Sequence, residues 1–209
     1  MGTQQRRQRE REQRYEGILE AAKRVFFNKG FNETTMDDIA NESELGKGTL
    51  YLYFKNKEDL AHAIMYESFN LLKEMMEEAI EKGQNGLDKI RRIAAVIPEY
   101  YVRQTAYFDF ARNIDYKIAG AAGESTMAAR CMYVIDEIID MLIAVLREGM
   151  EDGTIRNHIE PEKMAILYAN IVTSFMKQLS FMGDIINQRG QYEPRELIEH
   201  MLEIMIRSL

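Results

Sequence analysis

Hydrogen-bond donors are concentrated in one short stretch of the chain, GKGTLYLYFKNK at residues 46–57. Two glycines are interleaved there with lysine ammonium groups, a threonine hydroxyl and two tyrosine hydroxyls. Glycine lets a backbone approach a partner closely, and Lys, Thr and Tyr are common donors to phosphate oxygens. These residue types therefore favour the binding of a phosphate backbone.

The charge of the chain is divided unevenly between this end and the remainder. Up to Lys57, eleven Lys and Arg stand against nine Asp and Glu, a balance of +2, which leaves −9 for the rest of a chain whose formal net charge is −7. Only the first part has the sign that a polyanion attracts. Differently solvated faces give the same asymmetry, so the charge alone identifies no partner.

The sequence lacks the usual catalytic and metal-binding patterns. His62, His158 and His200 lie far apart, and no G-x-S-x-G, Walker or H-E-x-x-H motif occurs. We therefore expect no enzyme activity, no metal and no cofactor. Cys131 has no internal disulfide partner and is expected to be a small buried residue rather than a redox sensor. With no apolar leader and no apolar run of membrane-spanning length, we expect a cytoplasmic protein without a membrane partner.

The composition is typical of a helical protein. The 209 residues include only 3 Pro and 13 Gly, and 46% are hydrophobic, which is ample for a core. Apolar spacings of three and four predict an all-α fold of about nine helices, with a bend at Pro98. The predicted helices cover about residues 18–30, 34–42, 46–54, 56–81, 87–103, 105–116, 126–152, 161–183 and 194–209.

Capping patterns position the helices at the N-terminal end. Gly30 can take the left-handed conformation that ends the first helix, and Thr34 or Thr35 can cap the second. Asn56 similarly precedes a long helix that Gly83 and Gly86 should stop. Two short helices joined by the tight turn SELGKG form the layout of a helix-turn-helix, so we predict domains at residues 1–55 and 56–209.

The segment from Ile18 to Leu60 resembles the DNA-binding domain of TetR-family transcriptional regulators. The resemblance rests on AA-x-x-x-F with a GF pair, on TT-x-x-x-I-A, and on KGTLY-x-YF-x-x-K-x-x-L in that order. The later phrase EGMEDGTIR is also similar to the family. Two departures concern the turn, where Glu44 stands at a position often held by glycine and Gly46 replaces the usual hydroxyl cap.

The resemblance implies a set of DNA contacts. The recognition helix would enter a major groove roughly 12 Å wide with its N-terminal end foremost. Three members of the set would lie nearest base edges and the others on phosphates. Leu50 and Phe54 would point the other way, into the core of the three helices. The ordinary alternative for Thr35 is a helix cap, and for Tyr51 and Tyr53 it is a half-buried aromatic of the core. The set is Thr35, Lys47, Gly48, Thr49, Tyr51, Tyr53 and Lys57, with Lys47, Gly48 and Thr49 nearest the bases.

An arginine-rich segment precedes the first predicted helix. It is expected to be a frayed basic arm, which is either a solvated tail or an additional DNA contact. Its arginines are Arg6, Arg7, Arg9, Arg11 and Arg14.

For the C-terminal helices, the resemblance implies a homodimer and a pocket for a small, often apolar effector. Apolar residues at helical spacing near the C-terminus are the predicted interface, with intramolecular packing as the alternative: Val172, Phe175, Met176, Leu179, Met201, Leu202 and Met205. Aromatic and Met side chains are the predicted pocket, with ordinary packing as the alternative: Tyr100, Tyr101, Tyr107, Phe108, Met127, Met132, Tyr133 and Phe175.

These patterns predict a homodimeric repressor that a small, apolar effector releases from a palindromic double-stranded DNA operator. The alternative is a DNA-binding protein whose C-terminal domain docks a protein partner and takes no effector. A cavity of ligand size would favour the first prediction.

Overall fold

A computed structural model of the chain describes residues 2–111, 126–156, 159–190 and 192–209. All regular structure in these ranges is α-helical, which confirms the predicted class. The helices are α1 (Gly2–Lys29), α2 (Met36–Glu42), α3 (Lys47–Tyr51), α4 (Lys57–Glu81), α5 (Gly86–Arg103), α6 (Thr105–Ala111), α7 (Thr126–Glu151), α8 (Pro161–Gly190) and α9 (Pro194–Arg207). None of them is both long enough and apolar enough to cross a membrane.

The chain divides into two compact units. Unit 1 consists of Met1–Tyr66 with Asn113–Cys131, and unit 2 of Glu67–Arg112 with Met132–Leu209. The division falls inside α4 and again inside α7, because each of these helices contributes its first turns to unit 1 and its remainder to unit 2. The domain boundary between residues 55 and 56 stays a prediction.

Unit 1 has its own apolar core, formed by the inner faces of α1, α2, α3 and the start of α4. The predicted inward orientation of Leu50 and Phe54 is confirmed, since their exposed fractions are 0% and 2%. Burial of such side chains stabilises short helices that could not persist alone. The core side chains are Ile18, Leu19, Ala22, Phe26, Ile39, Leu50, Phe54 and Leu60.

The predicted ends of the first helices are confirmed. Gly30 ends α1 with a φ of +82°, and its N–H donates to the carbonyl of Phe26 at 2.8 Å. Thr35 is the residue that caps α2. Asn56 caps α4 by accepting the N–H of Asp59 at 2.8 Å. These signals act within four residues, so the sequence alone can locate them.

The arginine-rich segment is helical, which corrects the predicted frayed arm. α1 begins at Gly2 and continues through this segment. Helix-forming residues dominate it, and the side chains of Arg6 and Glu10 pair across one turn at 2.9 Å. The arginines are therefore carried on an exposed helical extension of α1.

Cys131 is buried in unit 1, with 3% of its surface exposed. Desolvation raises the pKa of its thiol to about 11. The thiol is therefore uncharged at neutral pH and poorly reactive, as expected for a small core residue.

Unit 2 contains a close approach of two helices at glycines. A methyl group on Gly86, the first residue of α5, would lie 2.1 Å from the backbone of Gly149 on α7. Gly86 therefore begins α5, which corrects its predicted role as a stop after α4. Two residues just after α7 bind the start of α5. Asp152 Oδ2 accepts the N–H of Gly86 at 2.8 Å, and Thr154 Oγ1 accepts the N–H of Leu87 at 3.1 Å.

The remaining helix ends of unit 2 follow the predictions with one exception. Gly153 follows α7 with a φ of +76°, as a C-terminal glycine should. α8 does not end at Gly183 as predicted but continues to Gly190, because one glycine costs only about 1 kcal/mol in a helix. The predicted extension of α6 to residue 116 and the loop after it lie outside the described residues.

Candidate nucleic-acid interface and apolar cavity

The turn between α2 and α3 brings α3 to the surface of unit 1. Glu44 takes the left-handed conformation, with a φ of +53°, at the position that glycine often holds in the family that the sequence resembles. The N–H of Leu45 then donates to the carbonyl of Ala40 at 3.0 Å. Gly46 is the N-cap of α3 and provides no side-chain cap. The five-residue α3 is held mainly by the burial of Leu50.

The outer side of α3 carries a group of exposed residues that we call the α3 surface: Lys47, Gly48, Tyr51 and Leu52. The exposed fractions of Tyr51 and Leu52 are 45% and 80%. A methyl group on Gly48 would meet nothing within 4 Å, so no packing within unit 1 explains this glycine. Thr49 and Tyr53 are half-buried beside this surface. Sequence reasoning missed Leu52, whose exposure depends on where α3 ends.

Lys47 is paired with a carboxylate of the neighbouring helix. Its Nζ lies 2.5 Å from Oδ1 of Asp37 in the first turn of α2. This hydrogen bond and the attraction of the two charges raise the pKa of Lys47 above its usual value. Both side chains are more than half exposed, so a DNA phosphate could compete for the ammonium. The sequence did not reveal this pair, because it depends on the packing of α2 against α3.

Thr35 is the N-cap of α2, which is one of the two roles that the sequence left open. Its Oγ1 accepts the N–H of Asp38 at 3.1 Å, and Asp38 in turn accepts the N–H of Thr35 at 2.8 Å. The hydrogen bond from Lys29, followed by those from Thr35, lowers the pKa of Asp38 to about 2. Thr35 is thus a cap that also remains exposed at a helix N-terminus.

Lys57 is engaged within unit 1. Its Nζ donates to the carbonyls of Phe31, Asn32 and Thr34 at 3.0, 3.2 and 3.2 Å, and it lies 4.6 Å from the centroid of the Phe31 ring. These carbonyls take all three protons of the ammonium group. A phosphate contact by Lys57, as predicted, would require this carbonyl clamp to open. Lys55, two residues earlier, is exposed.

Unit 2 contains a partly open apolar cavity of about 150 Å³ between α4, α5, α7, α8 and α9. Tyr168 and Thr173 are the polar members of its wall. The hydroxyl of Tyr168 already lies 2.9 Å from Ser208 Oγ and 3.2 Å from the carbonyl of Met205. The wall is otherwise apolar and includes Phe69, Leu72, Met76, Ile90, Ile93, Ile97, Ile138, Leu142, Leu146, Val172, Met176, Leu202 and Ile206.

The sequence matches known regulatory proteins at the segment that forms the α3 surface. The family model of the bacterial regulatory proteins of the tetR family matches residues 18–64. The HTH-type transcriptional regulator QacR of Staphylococcus aureus is 31% identical over 139 residues, which cover 65% of this chain and 70% of QacR. The chain belongs to the tetR family. This membership makes it a DNA-binding transcriptional regulator, and it agrees with the exposed donors on α3.

The similarity to tetR-family proteins extends beyond the helix-turn-helix. The HTH-type regulator YhgD of Bacillus subtilis is 29% identical over 192 residues, which cover 90% of this chain and 92% of YhgD. The structure of the transcriptional regulator FadR of Bacillus subtilis in complex with stearoyl-CoA matches this chain with a TM-score of 0.67 and 21% sequence identity. The match covers 93% of this chain and 99% of the FadR chain. At this identity the structural likeness concerns the fold.

The residues predicted for an effector pocket do not line the cavity of this tetR-family chain. Tyr100, Tyr101 and Tyr107 pack around the ring of Phe108, at centroid distances of 5.8, 5.2 and 5.4 Å. The hydroxyl of Tyr100 lies 2.8 Å from Ser68 Oγ, and burial raises its pKa to about 12. These aromatic residues form the core around α5 and α6.

The other predicted pocket residues also lie elsewhere. Met132 and Tyr133 are 40% and 64% exposed on α7. Met127 lines a surface groove of unit 1 together with Arg11 and Lys55. Phe175 is half-buried, and it is not among the residues that line the cavity. None of the eight residues predicted for the pocket lines the cavity, so the predicted set and the cavity are separate candidates for an effector site.

The predicted interface residues face mostly inward. Met176, Leu179 and Leu202 are buried, and Val172, Met176, Leu202 and Met205 line the cavity. Phe175 and Met201 are half-buried. A different apolar stripe is exposed on the same helices, and we call it the α8–α9 stripe: Leu167, Ile171, Phe181 and Ile204, with exposed fractions of 51%, 46%, 67% and 71%.

Proposed function

We propose that this tetR-family regulator is a cytoplasmic homodimeric repressor, and that a small molecule with an apolar chain releases it from a palindromic operator. The observation that carries the proposal is the apolar cavity of unit 2. The protein acts by binding, and we assign it no catalytic step.

The α3 surface is the proposed contact with base edges. Gly48 leaves room for the backbone of α3 to approach a groove closely, and Lys47 and Thr49 supply donors beside it. Tyr51 is exposed and able to place its hydroxyl on a phosphate, with Tyr53 and Thr35 as further phosphate contacts. For Lys57 we assign support of the carbonyl clamp in place of a direct contact.

The α8–α9 stripe is the proposed dimer interface. Residues 167, 171 and 181 fall within one narrow arc of a helix that turns about 100° per residue. Large apolar side chains on such an arc favour burial against a second copy. A pair of recognition helices would then read two half-sites about 34–36 Å apart, which gives more specificity than one helix alone.

The cavity is the proposed effector site. Its apolar wall suits a hydrocarbon chain, and the polar groups among its lining residues are two uncharged hydroxyls, those of Tyr168 and Thr173. The stearoyl-CoA complex of FadR supports a long acyl chain as the effector class, because FadR shares this fold. For release, the effector must bind the DNA-incompetent conformation more tightly, and about 2–3 kcal/mol of difference changes operator affinity some 30- to 150-fold.

Selection of bound sequences from a random duplex pool tests the DNA-binding half of the proposal. A palindrome should be enriched, and the mass of the complex should correspond to two chains per duplex. Tyr51→Ala should weaken binding to the operator and to non-specific DNA, because a phosphate contact is lost. Tyr133→Ala, which removes an exposed tyrosine of unit 2, is the matched control and should bind as wild type does.

Two results would count against the proposal. One is a selection that enriches no sequence at low salt. The other is a DNA complex that contains a single chain, since the α8–α9 stripe would then have no role in pairing.

A further inference from the structure

A groove between α5 and α9 adjoins the cavity and carries three guanidinium groups. It has a volume of about 610 Å³, and its lining includes Arg91, Arg195 and Arg207 together with the carboxylates of Glu199 and Glu203. Ala94, Leu202 and Ile206 line both this groove and the cavity. The cavity and this surface groove therefore share part of their apolar wall. The groove, which we call the arginine groove, carries one more positive than negative charge, since three guanidinium groups stand beside two carboxylates.

The arginine groove has donors available for an anion. Arg195 pairs with Glu199 at 2.9 Å, and Arg207 pairs with Glu203 at 2.5 Å. In each pair the two residues are one helical turn apart, and their side chains are exposed. Such pairs are weak, and each guanidinium retains further N–H donors. Arg91 is exposed, and within the described residues no carboxylate lies within 4 Å of it.

The cavity itself cannot accept a charged group. Its wall is apolar, the Tyr168 hydroxyl is already hydrogen-bonded, and Thr173 adds a single uncharged hydroxyl. Burying a carboxylate or phosphate there without donors would cost many kcal/mol, so an amphipathic ligand must leave its anionic group at an opening. The arginine groove is the candidate for this opening, because it shares Ala94, Leu202 and Ile206 with the cavity and also carries guanidinium groups.

We propose that the arginine groove binds the anionic oxygen group of an amphipathic ligand whose hydrocarbon chain occupies the cavity. This inference rests on the proposed effector site and specifies the ligand class: a long chain that ends in a carboxylate or in a phosphate-bearing group. Guanidinium groups bind both anions through paired N–H donors. A neutral molecule with the same chain would gain nothing from the groove.

Calorimetric titration with three ligands of equal chain length tests this assignment. Laurate carries a carboxylate, lauroyl-CoA carries phosphates, and 1-dodecanol is neutral; lauroyl-CoA is kept below its micelle concentration. The triple variant Arg91→Gln, Arg195→Gln, Arg207→Gln should lose about tenfold or more in affinity for at least one anionic ligand, with dodecanol unchanged. The anion that loses affinity identifies which group the groove recognises.

Two single variants sharpen the test. Arg92→Gln is the matched control, since Arg92 is the next residue of α5, pairs with Asp88 and does not line the groove. It should bind all three ligands as wild type does. Glu203→Gln removes the carboxylate that competes for Arg207, so it should raise the affinity for the recognised anion about two- to fivefold.

The inference is overturned if the triple variant binds both anions like wild type, if dodecanol loses as much affinity as they do, or if no ligand binds the wild-type protein. Operator release is measured in a separate experiment, so the proposed function can be contradicted while the groove assignment still holds. Ligands that bind through the arginines but leave the operator complex intact would contradict the proposed effector role and leave the groove assignment standing.

Discussion

Gly48 on α3 and Gly86 at the start of α5 have opposite surroundings. A methyl group on Gly48 would meet nothing within 4 Å, whereas one on Gly86 would lie 2.1 Å from the backbone of Gly149. The same contrast holds for their neighbours, since α3 exposes Lys47 and Tyr51 while α5 contributes an apolar cavity wall. Unit 1 thus leaves space and donors for an external partner, and unit 2 uses its close contacts to surround an internal space.

Alanine at Gly86 should have the largest effect on stability. The added methyl group would force α5 away from the backbone of Gly149 and disturb the hydrogen bond from Gly86 N–H to Asp152. We expect the free energy of unfolding to fall by about 1–3 kcal/mol or more, measured by chemical denaturation.

The paired variant Gly48→Ala should do the opposite. Alanine favours a helix over glycine by up to about 1 kcal/mol, so unfolding should be unchanged or slightly harder while operator affinity falls. A normal unfolding free energy for Gly86→Ala, or full operator binding by Gly48→Ala, would remove the contrast.

Lys57→Ala should act on stability, and Lys55→Ala on DNA. Loss of the carbonyl clamp leaves three carbonyls without their donor, which should cost about 1–3 kcal/mol of unfolding free energy. Lys55 is exposed, and its removal should lower the salt slope of DNA binding by about one per half-site without a change in stability. If Lys57→Ala changes only the salt slope, the direct phosphate contact predicted from the sequence is correct.

Asp37→Asn should strengthen DNA binding modestly. The substitution frees the Lys47 ammonium from its 2.5 Å partner and removes a negative charge beside the α3 surface. We expect non-specific DNA to bind about two- to fivefold more tightly and the ratio of specific to non-specific affinity to fall. Asp140→Asn makes the same change in net charge on an exposed part of α7 and is the control. Equal effects of the two variants would mean that only net charge matters.

The smallest expected effect is the acid sensitivity of the α2 cap. The pKa of Asp38 is lowered from 3.8 to about 2, so its contribution to stability is present above pH 3.8 and is lost as the pH falls towards 2. Asp38→Asn should reduce the decline in the urea midpoint between pH 4 and 2. An unchanged decline in the variant would show that the cap does not contribute.

The features that the sequence predicted are those set by near neighbours in the chain. The caps at Thr35 and Asn56 and the helix end at Gly30 depend on residues within four positions. The orientation of Leu50 followed from the period of α3 and its surroundings. Local hydrogen-bond chemistry was enough in each of these places.

The features that the sequence did not predict depend on distant contacts. Lys57 meets carbonyls 23 to 26 residues away, and no motif distinguishes such a lysine from one that binds phosphate. On α8 and α9, apolar residues occur on more than one side of the helix, so periodicity could not decide which side lines the cavity. Met176 was therefore predicted at the interface although it faces inward, and Phe181 was overlooked although it is 67% exposed.

The most direct test of the central claim is a titration of the operator complex with lauroyl-CoA, in which fluorescence anisotropy measures the release of the selected operator. Ala94 lines both the cavity and the arginine groove, so Ala94→Phe should block entry, while Ala144→Phe places the same ring on an exposed part of α7. We predict that all three proteins bind the operator, and that wild type and Ala144→Phe release it while Ala94→Phe stays bound. Equal release from Ala94→Phe, or no release from wild type, would contradict the claim that occupation of this cavity controls DNA binding.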